Sequence, residues 1–465
     1  MNLYDLQDFD FDTVKGSQHH ILVIPNITRQ RELEKDSFVL VMMNVIRELN
    51  LKRDDLYFTI PMPKFCEQLD FPNVNQPLFD QPTFPNSMRS HYDFLGFWKD
   101  VLNTLNVEYD VVWSHLPEQT VNVVNNLQNL YSSDIPVIGY SHWIENKENN
   151  PNNKHTFYHY NVAGMLTMDK CGFNTQTQID ELLSELEEHY SEKTMEKLED
   201  TLTPVYLGFE DDKIIDRPVE QVEKRIVFNH RTHAYRGYDK FLQIIKRLRN
   251  KRQDFKVWFT MADQTTKLSK HFDDTSFFEL GGEPSREDYL HKLRTCVAGY
   301  HGGNRWAMSS QDGLGQGVVY VYDVGNETKE IFGKLDTGFR DIDTAVEHFE
   351  RLLDDNQYRL EQSQVALEHC RQVHSWRNRV SGFENLIQDA LDSNSQLMSH
   401  TDARDKIEEF IKEKKKVSIR EIRDYMGWGK SITFRKYRNY IKSLPDFHVL
   451  HHGKEEYYVF KELHR

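Results

Sequence analysis

Apolar runs and helical spacing alternate along the first half of the chain. Segments Lys35–Leu51 and Gln119–Tyr131 have apolar residues at every third or fourth position, which is typical of helices. Between such segments lie runs that predict buried strands, namely His20–Pro25, Tyr109–Trp113, Pro136–Tyr140 and Ala163–Thr167. The alternation predicts a mostly parallel sheet with crossover helices. Met62–Ser90 is rich in Pro, Phe and Asn, and we interpret it as an insertion or long loop, whereas Glu145–Lys154 is a loop too polar to pack.

The same alternation begins again near Lys224. The predicted strands are Arg225–Asn229, Phe255–Met261, Ser276–Leu280, Val297–Tyr300 and Val318–Tyr322. The predicted helices are Asp239–Arg252, Ser285–Thr295, Ile342–Asp355 and Asn356–Leu391. Ser285 and Asp288 have the spacing of a capping box at a helix start. The predicted fold class is therefore α/β, with two tandem doubly wound Rossmann-like domains at residues 1–205 and 206–391.

A different pattern follows a polar linker at residues 392–400. Within residues 401–465 we predict helices at Asp402–Lys414, Ser418–Tyr425 and Ser431–Ser443, then strands at Phe447–Leu450 and Tyr457–Phe460. Three helices followed by a hairpin are typical of a small winged helix-turn-helix domain. Basic residues concentrate around its third helix, namely Lys430, Arg435, Lys436, Arg438 and Lys442. They predict contact with double-stranded DNA, and the alternative is a winged helix that binds only protein.

The charge distribution supports a polyanionic partner for this last segment. The chain of 465 residues has a net charge of −15. Residues 401–465 hold 16 Lys and Arg against 11 Asp and Glu, so the rest of the chain is strongly acidic. An acidic body with a basic terminal module favours nucleic-acid binding by the module.

Composition also limits where the protein acts. No apolar run approaches the length of about 18 residues that a membrane span needs, and the acidic start of the chain lacks the order of a signal peptide. Four cysteines are widely scattered without a C-x-x-C pair. We therefore expect a cytoplasmic protein without a cysteine zinc site.

Two loops of the second unit carry the residue types that bind a nucleotide diphosphate. Gly302 and Gly303 precede a short helix, where backbone amides and the helix dipole favour an anion. Asp312, further along that helix, is a candidate for the ribose hydroxyls. Arg231 and Arg236 follow the first strand of the same unit, where doubly wound sheets bind ligands.

The pattern R-x4-[KR]-G before a helix, followed by a spaced pair of polar residues, resembles retaining nucleotide-sugar glycosyltransferases of the GT-B fold. In that family an Arg and a Lys hold the donor diphosphate, which implies this role for Arg231 and Arg236. The family's glutamate pair corresponds to Asn304 and Asp312, so both positions depart from it. The resemblance implies a nucleotide-sugar donor, with UDP-glucose as the expected one, and a retaining reaction.

The first unit contributes candidates for contact with the transferred sugar. His142 follows the predicted strand Pro136–Tyr140, and this segment resembles the corresponding part of phage enzymes that glucosylate hydroxymethylated bases in DNA. The resemblance implies that His142 contacts the sugar. His115 and Arg29, each after another predicted strand, are weaker candidates, and a structural role is the alternative for each histidine.

We expect no metal site. Asp341-Ile342-Asp343 matches the D-x-D motif of metal-dependent transferases, but it precedes a predicted helix, where acidic residues interact with the helix dipole. The sequence has neither an H-E-x-x-H nor a Walker A motif.

Three functional hypotheses follow. The first is a glycosyltransferase that moves a sugar onto hydroxymethylated bases of double-stranded DNA. The second keeps the chemistry but uses a polysaccharide, teichoic acid or protein acceptor. The third is a non-catalytic DNA-binding regulator that senses a nucleotide sugar.

Overall fold

The structure is a computed structural model. It describes residues 19–25, 27, 37–64, 66, 74–79, 109–131, 135–142, 156–232, 234–261, 268–303, 306–396, 400–426, 447–452 and 455–460. In these residues two parallel sheets are formed, each covered by helices. Among the described residues no helix combines the length and apolar character needed to cross a membrane.

The N-terminal sheet has seven parallel strands in the order β4-β2-β1-β6-β7-β8-β9. These strands are β1 His19–Ile24, β2 Leu56–Thr59, β4 Val74–Asn75, β6 Val111–Ser114, β7 Val137–Ser141, β8 Lys170–Phe173 and β9 Leu202–Pro204. Two further short strands, β3 Met62–Pro63 and β5 Leu78–Phe79, pair with each other. The strand order reverses direction between β1 and β6, and ligands of doubly wound sheets bind at such a point.

Helices connect the strands of this sheet. They are α1 Ser37–Lys52, α2 Pro117–Tyr131, α3 Thr156–Thr167, α4 Gln176–Leu186 and α5 Glu192–Thr201. The apolar strand residues are buried on both faces, as expected where helices cover both sides.

The C-terminal sheet repeats this design with six parallel strands in the order β12-β11-β10-β13-β14-β15. The strands are β10 Glu223–Phe228, β11 Lys256–Phe259, β12 Phe278–Leu280, β13 Cys296–His301, β14 Tyr320–Asp323 and β15 Gly338–Phe339. The associated helices are α6 Tyr238–Lys251, α7 Arg286–Arg294, α8 Met308–Gly315, α9 Asn326–Phe332, α10 Ile342–Asp354 and α11 Asn356–His369. Its strand order reverses between β10 and β13.

The last long helix returns to the other sheet. After a π-helical turn at Cys370–His374, helix α12 (Trp376–Gln396) packs Phe383 against Trp113 and Tyr140 of the N-terminal sheet, with ring centroids 5.5 Å and 5.2 Å apart. The chain therefore passes between the sheets twice, once between β9 and β10 and once before α12, and α12 joins the two units.

The C-terminal module contains part of the predicted winged helix. Helix α13 (His400–Lys414), strand β16 (Lys416–Ser418), helix α14 (Ile419–Tyr425) and the hairpin β17 (Phe447–His452) with β18 (Glu455–Phe460) are described. The three strands form an antiparallel sheet in the order β16-β18-β17. In the described part of this module the buried apolar side chains are Ile407, Ile411, Val417, Ile422 and Tyr458. The predicted third helix lies outside the described residues.

Most predicted elements are confirmed, but the strand at Ala163–Thr167 is wrong. This segment ends helix α3, and the strand is instead Lys170–Phe173. A short run that is apolar on every side fits either a buried strand or a buried helix. Here Gly164 lies directly on the Pro117 carbonyl of α2, where an added Cβ would be 1.7 Å from the oxygen, and this close packing favours the helix.

Two other predictions need smaller corrections. The helix predicted at Asn356–Leu391 is interrupted by the π-helical turn and by Ser375, whose ψ of 141° is extended. Met62–Ser90, interpreted as an insertion or long loop, contains the short strands β3, β4 and β5 in its described part. Strands of two residues carry too little periodicity to be predicted.

We expect Phe383→Ala to lower the free energy of unfolding by about 3 to 5 kcal/mol, because it leaves a cavity between the crossing helix and the N-terminal sheet. Phe383 is 1% exposed. Denaturant titration followed by circular dichroism measures the change. Asn385→Ala on the exposed side of the same helix is the control and should change stability by less than about 0.5 kcal/mol. Equal effects of the two substitutions would contradict the packing described.

Candidate functional site

The two candidate diphosphate-binding loops meet at the carboxyl edge of the C-terminal sheet. One loop follows β10 and the other follows β13, the two strands between which the strand order reverses. Gly237 and Gly302 touch backbone to backbone, since a Cβ added to Gly237 would lie 2.7 Å from the Cα of Gly302. Gly237 and Gly303 have φ angles of +67° and +78°, which favour glycine. Sequence reasoning thus chose two loops that the fold brings into contact.

Arg231 and Arg236 both belong to this edge. Arg236 donates to the Trp306 carbonyl at 2.9 Å, so it links the two loops, and its guanidinium lies 5.1 Å from the ring centre of Tyr235. Burial lowers the pKa of Arg236, and the charge of Arg231 lowers it further, whereas Tyr235 and Glu327 raise it. Arg231 is exposed at the same edge. Two cations are therefore close enough to interact beside the glycine loop.

Two histidines that the sequence did not single out lie beneath these loops. His230 Nδ1 is 2.8 Å from Ser309 Oγ, and His301 Nδ1 is 2.7 Å from Ser310 Oγ. The two imidazole rings meet edge to face with centroids 4.9 Å apart. Burial, then His301 and Arg236, keep the pKa of His230 well below its usual value. The signal available in the sequence was the position of each histidine directly at the end of a strand.

Asn229 fixes the start of helix α8 to strand β10. Its Nδ2 donates to the Ser309 carbonyl at 2.6 Å and to the Tyr320 hydroxyl at 2.9 Å. Helix α8 begins after Ala307, which has no side-chain oxygen to cap the first amides. The helix therefore points its amino terminus to the edge where the two loops meet.

Asp312 has a partner that sequence reasoning missed. Its Oδ1 accepts from Arg286 Nη2 at 3.0 Å, and Arg286 also forms a two-pronged ion pair with Glu210 at 2.9 Å and 2.7 Å. Burial raises the pKa of Asp312, and Arg286 only partly offsets this. Burial also opposes ionisation of Glu210, but Arg286 holds the pKa of that carboxyl below its usual value. Asp312 is thus a buried carboxyl already oriented by an arginine, and its role toward a ribose stays a prediction.

Glu327 is a second buried carboxyl at this edge that the sequence did not reveal. It lies in the first turn of α9, directly after β14, and is 0% exposed. It accepts from the Trp306 backbone N at 2.5 Å and from Gln178 Nε2 at 3.1 Å. Glu327, which follows the neighbouring strand β14 and is not part of the motif found in the sequence, therefore contacts the loop that follows β13.

His142 lies at the corresponding edge of the N-terminal sheet, next to His115. The two Nε2 atoms are 3.1 Å apart, and the ring of Phe38 meets His142 edge to face at 4.4 Å. Burial, then His115, keep the pKa of His142 well below its usual value, while burial lowers the pKa of His115 to about 3. Both imidazoles are therefore neutral near pH 7, one donating to the other.

The carboxyl edges of the two sheets face each other. Thr177 Oγ1 and Gln178 Nε2 of helix α4 contact Glu330 and Glu327 of helix α9, the first at 2.8 Å. Asn174, just before α4, donates to the His142 carbonyl at 2.7 Å. The candidate sugar-contacting histidine and the arginine loop are therefore linked through a short chain of contacts between the two sheets.

Several predicted site residues cannot be placed. Asn304 and Arg29 lie outside the described residues, and so do the basic residues of the predicted third helix, namely Lys430, Arg435, Lys436, Arg438 and Lys442. Their roles stay predictions.

The acids of the D-x-D segment have structural partners. Asp341 caps helix α10 by accepting from the Thr344 amide at 2.9 Å, and Asp343 pairs with Arg247. In the described part of the chain there is no cluster of three or more His, Cys, Asp or Glu side chains arranged to hold a metal ion.

Solved structures share this architecture at low sequence identity. Sucrose-phosphate synthase from Thermosynechococcus elongatus aligns with a TM-score of 0.63 at 8% identity, covering 81% of this chain and 100% of that chain. Trehalose-6-phosphate from E. coli bound with UDP-2-fluoro glucose aligns at 0.57 and 11%, covering 80% and 99%. Anabaena Alr3699/HepE in complex with UDP aligns at 0.54 and 9%, covering 80% and 100%.

No protein-family model and no curated protein matches the sequence. The structural likeness confirms the predicted fold class, two tandem Rossmann-like domains in the GT-B arrangement.

The buried His115 predicts a measurable loss of stability in mild acid. Its pKa is about 3 in the folded protein and about 6.5 in the unfolded chain, so below pH 6.5 only the unfolded state takes up this proton. Each pH unit in that window costs the native state up to about 1.4 kcal/mol. We expect His115→Gln to flatten the dependence of unfolding free energy on pH between 6 and 4. The exposed His189→Gln should leave the slope unchanged, and a wild-type slope in His115→Gln would contradict the assignment.

Proposed function

We propose that this protein is a glycosyltransferase that uses a nucleotide-sugar donor and acts on hydroxymethylated bases of double-stranded DNA. The donor binds at the edge of the C-terminal sheet, and the acceptor enters between the two sheets. UDP-glucose is the donor that we expect. The single observation that carries the donor half is the contact between the loops after β10 and β13, which unites Arg231, Arg236 and the two glycines at one edge.

The chemistry of this edge suits a leaving diphosphate. A retaining front-face displacement breaks the bond between the anomeric carbon and the diphosphate oxygen while the acceptor hydroxyl forms its bond on the same face. The hydroxyl proton passes to the departing phosphate oxygen. Arg231, Arg236 and the amides near Gly302 and Gly303 stabilise the negative charge that develops on this oxygen. Stabilisation of this kind is usually the largest single contribution to lowering the activation barrier.

His142 and Asp312 complete this assignment. His142 is neutral and follows strand β7 at the edge of the N-terminal sheet, so it serves the sugar as a hydrogen-bonding group without adding a charge. Asp312, oriented by Arg286, accepts from the ribose hydroxyls, and Asn304 bonds a sugar hydroxyl. The Alr3699/HepE structure holds UDP and the E. coli structure holds UDP-2-fluoro glucose, which supports a uridine nucleotide as the donor class.

The acceptor assignment depends on the C-terminal module. The module contains a helix, the strand β16, a second helix and a hairpin, and the second hairpin strand, β18, pairs with β16. A winged helix has its elements in this order, which supports the predicted domain. Its basic residues would hold the enzyme on DNA through the phosphates. A hydroxymethyl group on a base then reaches the donor by extrusion of that base. Incubation with hydroxymethylated and plain DNA and a panel of nucleotide sugars, followed by mass measurement of the nucleosides, tests the acceptor directly.

We expect Arg231→Ala to reduce both sugar transfer and slow hydrolysis of the nucleotide sugar by about 100-fold or more, because a donor to the leaving diphosphate is lost. Turnover is measured by release of the nucleoside diphosphate. Arg217→Ala is the matched control, since Arg217 is also exposed but precedes β10 at the opposite end of the strand. Full turnover in folded Arg231→Ala would show that the diphosphate does not bind at this edge.

DNA binding by the full chain should depend on the basic third-helix segment. We expect combined replacement of Arg435, Lys436, Arg438 and Lys442 by Ala to weaken binding to a plain duplex at low salt at least about tenfold, and to reduce its salt dependence. The control removes the same number of charges from the exposed Arg217, Lys246, Arg247 and Lys251. Fluorescence anisotropy measures the affinity. Undiminished binding by the first variant would remove the support for a DNA acceptor.

A further inference from the structure

Trp306 is held at both of its backbone polar groups by opposite charges. Its carbonyl accepts from Arg236 Nη1 at 2.9 Å, and its amide donates to Glu327 Oε2 at 2.5 Å. Arg236 and Glu327 also attract each other electrostatically. Trp306 is 5% exposed and Glu327 is buried, whereas Arg236 is half-buried. A cation and a carboxylate thus fix one peptide segment from two sides.

Burial of the Glu327 carboxylate costs free energy unless hydrogen-bond donors or an opposite charge stabilise it. A carboxylate that is 0% exposed loses its hydration and must recover the free energy from hydrogen bonds and opposite charge. Glu327 has the Trp306 amide, Gln178 and Arg236, and it lies in the first turn of α9, where the helix dipole favours an anion. The interactions named here lead from Glu327 to the loop after β13, to the loop after β10 and to the N-terminal domain.

The position of this loop decides whether a diphosphate can bind. Trp306 follows the glycine pair by three residues and precedes helix α8 by two. A shift of Trp306 would move both the glycine amides on one side and the first amides of α8 on the other. Arg236 would lose the carbonyl that orients its guanidinium.

Resting on the proposed function, we propose that Glu327 is a positioning residue for the donor. It holds Trp306 against Arg236 and so keeps the glycine loop and the guanidinium in place for the diphosphate. Through Gln178 it also connects this loop to helix α4 of the N-terminal domain. Glu327 contacts the loop after β13 and helix α4 of the N-terminal domain, and in this role it does not touch the reacting atoms.

The test measures binding of UDP to the full chain by calorimetry. Glu327→Ala should weaken UDP binding about tenfold or more, since a buried amide loses its acceptor and the loop its anchor. Glu327→Gln should recover affinity to within about threefold of wild type, because an amide oxygen still accepts from the Trp306 amide. If Glu327→Ala does not fold, Glu327→Asp serves instead: it keeps the charge but is one methylene shorter, and we expect about fivefold weaker binding.

Glu330→Gln is the matched control. Glu330 lies on the same helix and bonds Thr177 of the N-terminal domain, so this variant weakens an interdomain contact without touching Trp306, and UDP affinity should stay within about twofold. Thermal unfolding verifies that each variant is folded. Wild-type UDP affinity in folded Glu327→Ala, or equal losses in the Glu327→Ala and Glu330→Gln variants, would overturn the positioning role. If the wild type itself does not bind UDP, the proposed donor site is wrong, and this role falls with it.

Discussion

The close approach of two loops at the edge of the C-terminal sheet is the constraint on which the candidate site depends. Gly237 and Gly302 leave no room for a side chain between them, and an added Cβ on Gly303 would lie 2.1 Å from the Tyr235 carbonyl oxygen. Glycine at these positions allows the backbones of the two loops to pack directly against each other in one small volume. Because strands β10 and β13 are parallel neighbours, this volume lies where their carboxyl ends meet. Residues far apart in sequence, such as Arg236 and Trp306, are therefore hydrogen-bonded in the fold.

Buried charges around this contact occur in groups of opposite sign. Arg286 pairs with both Glu210 and Asp312, and Arg236 lies beside Glu327. In a low-dielectric interior, each such group is stable only while its partners stay in place. The groups therefore act as fixed orienting elements: one holds the acid on helix α8, and the other holds the loop before that helix. Under the proposed function, the donor diphosphate would meet an Arg236 guanidinium that is oriented before the ligand arrives, as electrostatic preorganisation requires.

Much of the fold could be predicted from the sequence because parallel strands covered on both sides are nearly continuous apolar runs. His20–Pro25 and Val297–Tyr300 are of this kind, and both are strands. Ala163–Thr167 was predicted wrongly because an apolar run without polar positions has no period, and packing on Pro117 decided its conformation. Helix α12 has clear helical spacing, but spacing does not reveal which sheet a helix covers. Its burial against Trp113 could only be seen in three dimensions.

The candidate site could be predicted only in part. Arg231, Arg236 and the glycine pair were predicted together because they follow strands of one unit and their pattern resembles that of GT-B glycosyltransferases, whereas the contact between the two loops is seen only in the fold. The partners of Asp312 and Trp306 could not be predicted, because Glu210, Arg286 and Glu327 are distributed over three other segments without a shared motif. Ion pairs between distant segments leave no local pattern, whereas phosphate-binding loops do.

The charge asymmetry of the chain bears on how an acceptor would approach. Outside residues 401–465 the chain holds 62 acidic against 42 basic residues, so its surface field repels a polyanion. A DNA acceptor would be held by the basic module, while the negative charge of residues 1–400 would repel the rest of the duplex from the surface of the two sheets. Only a short, extruded part of such an acceptor would need to enter between the sheets. A neutral sugar acceptor would not experience this field, so the salt dependence of turnover, and not of donor binding, distinguishes the two classes of acceptor.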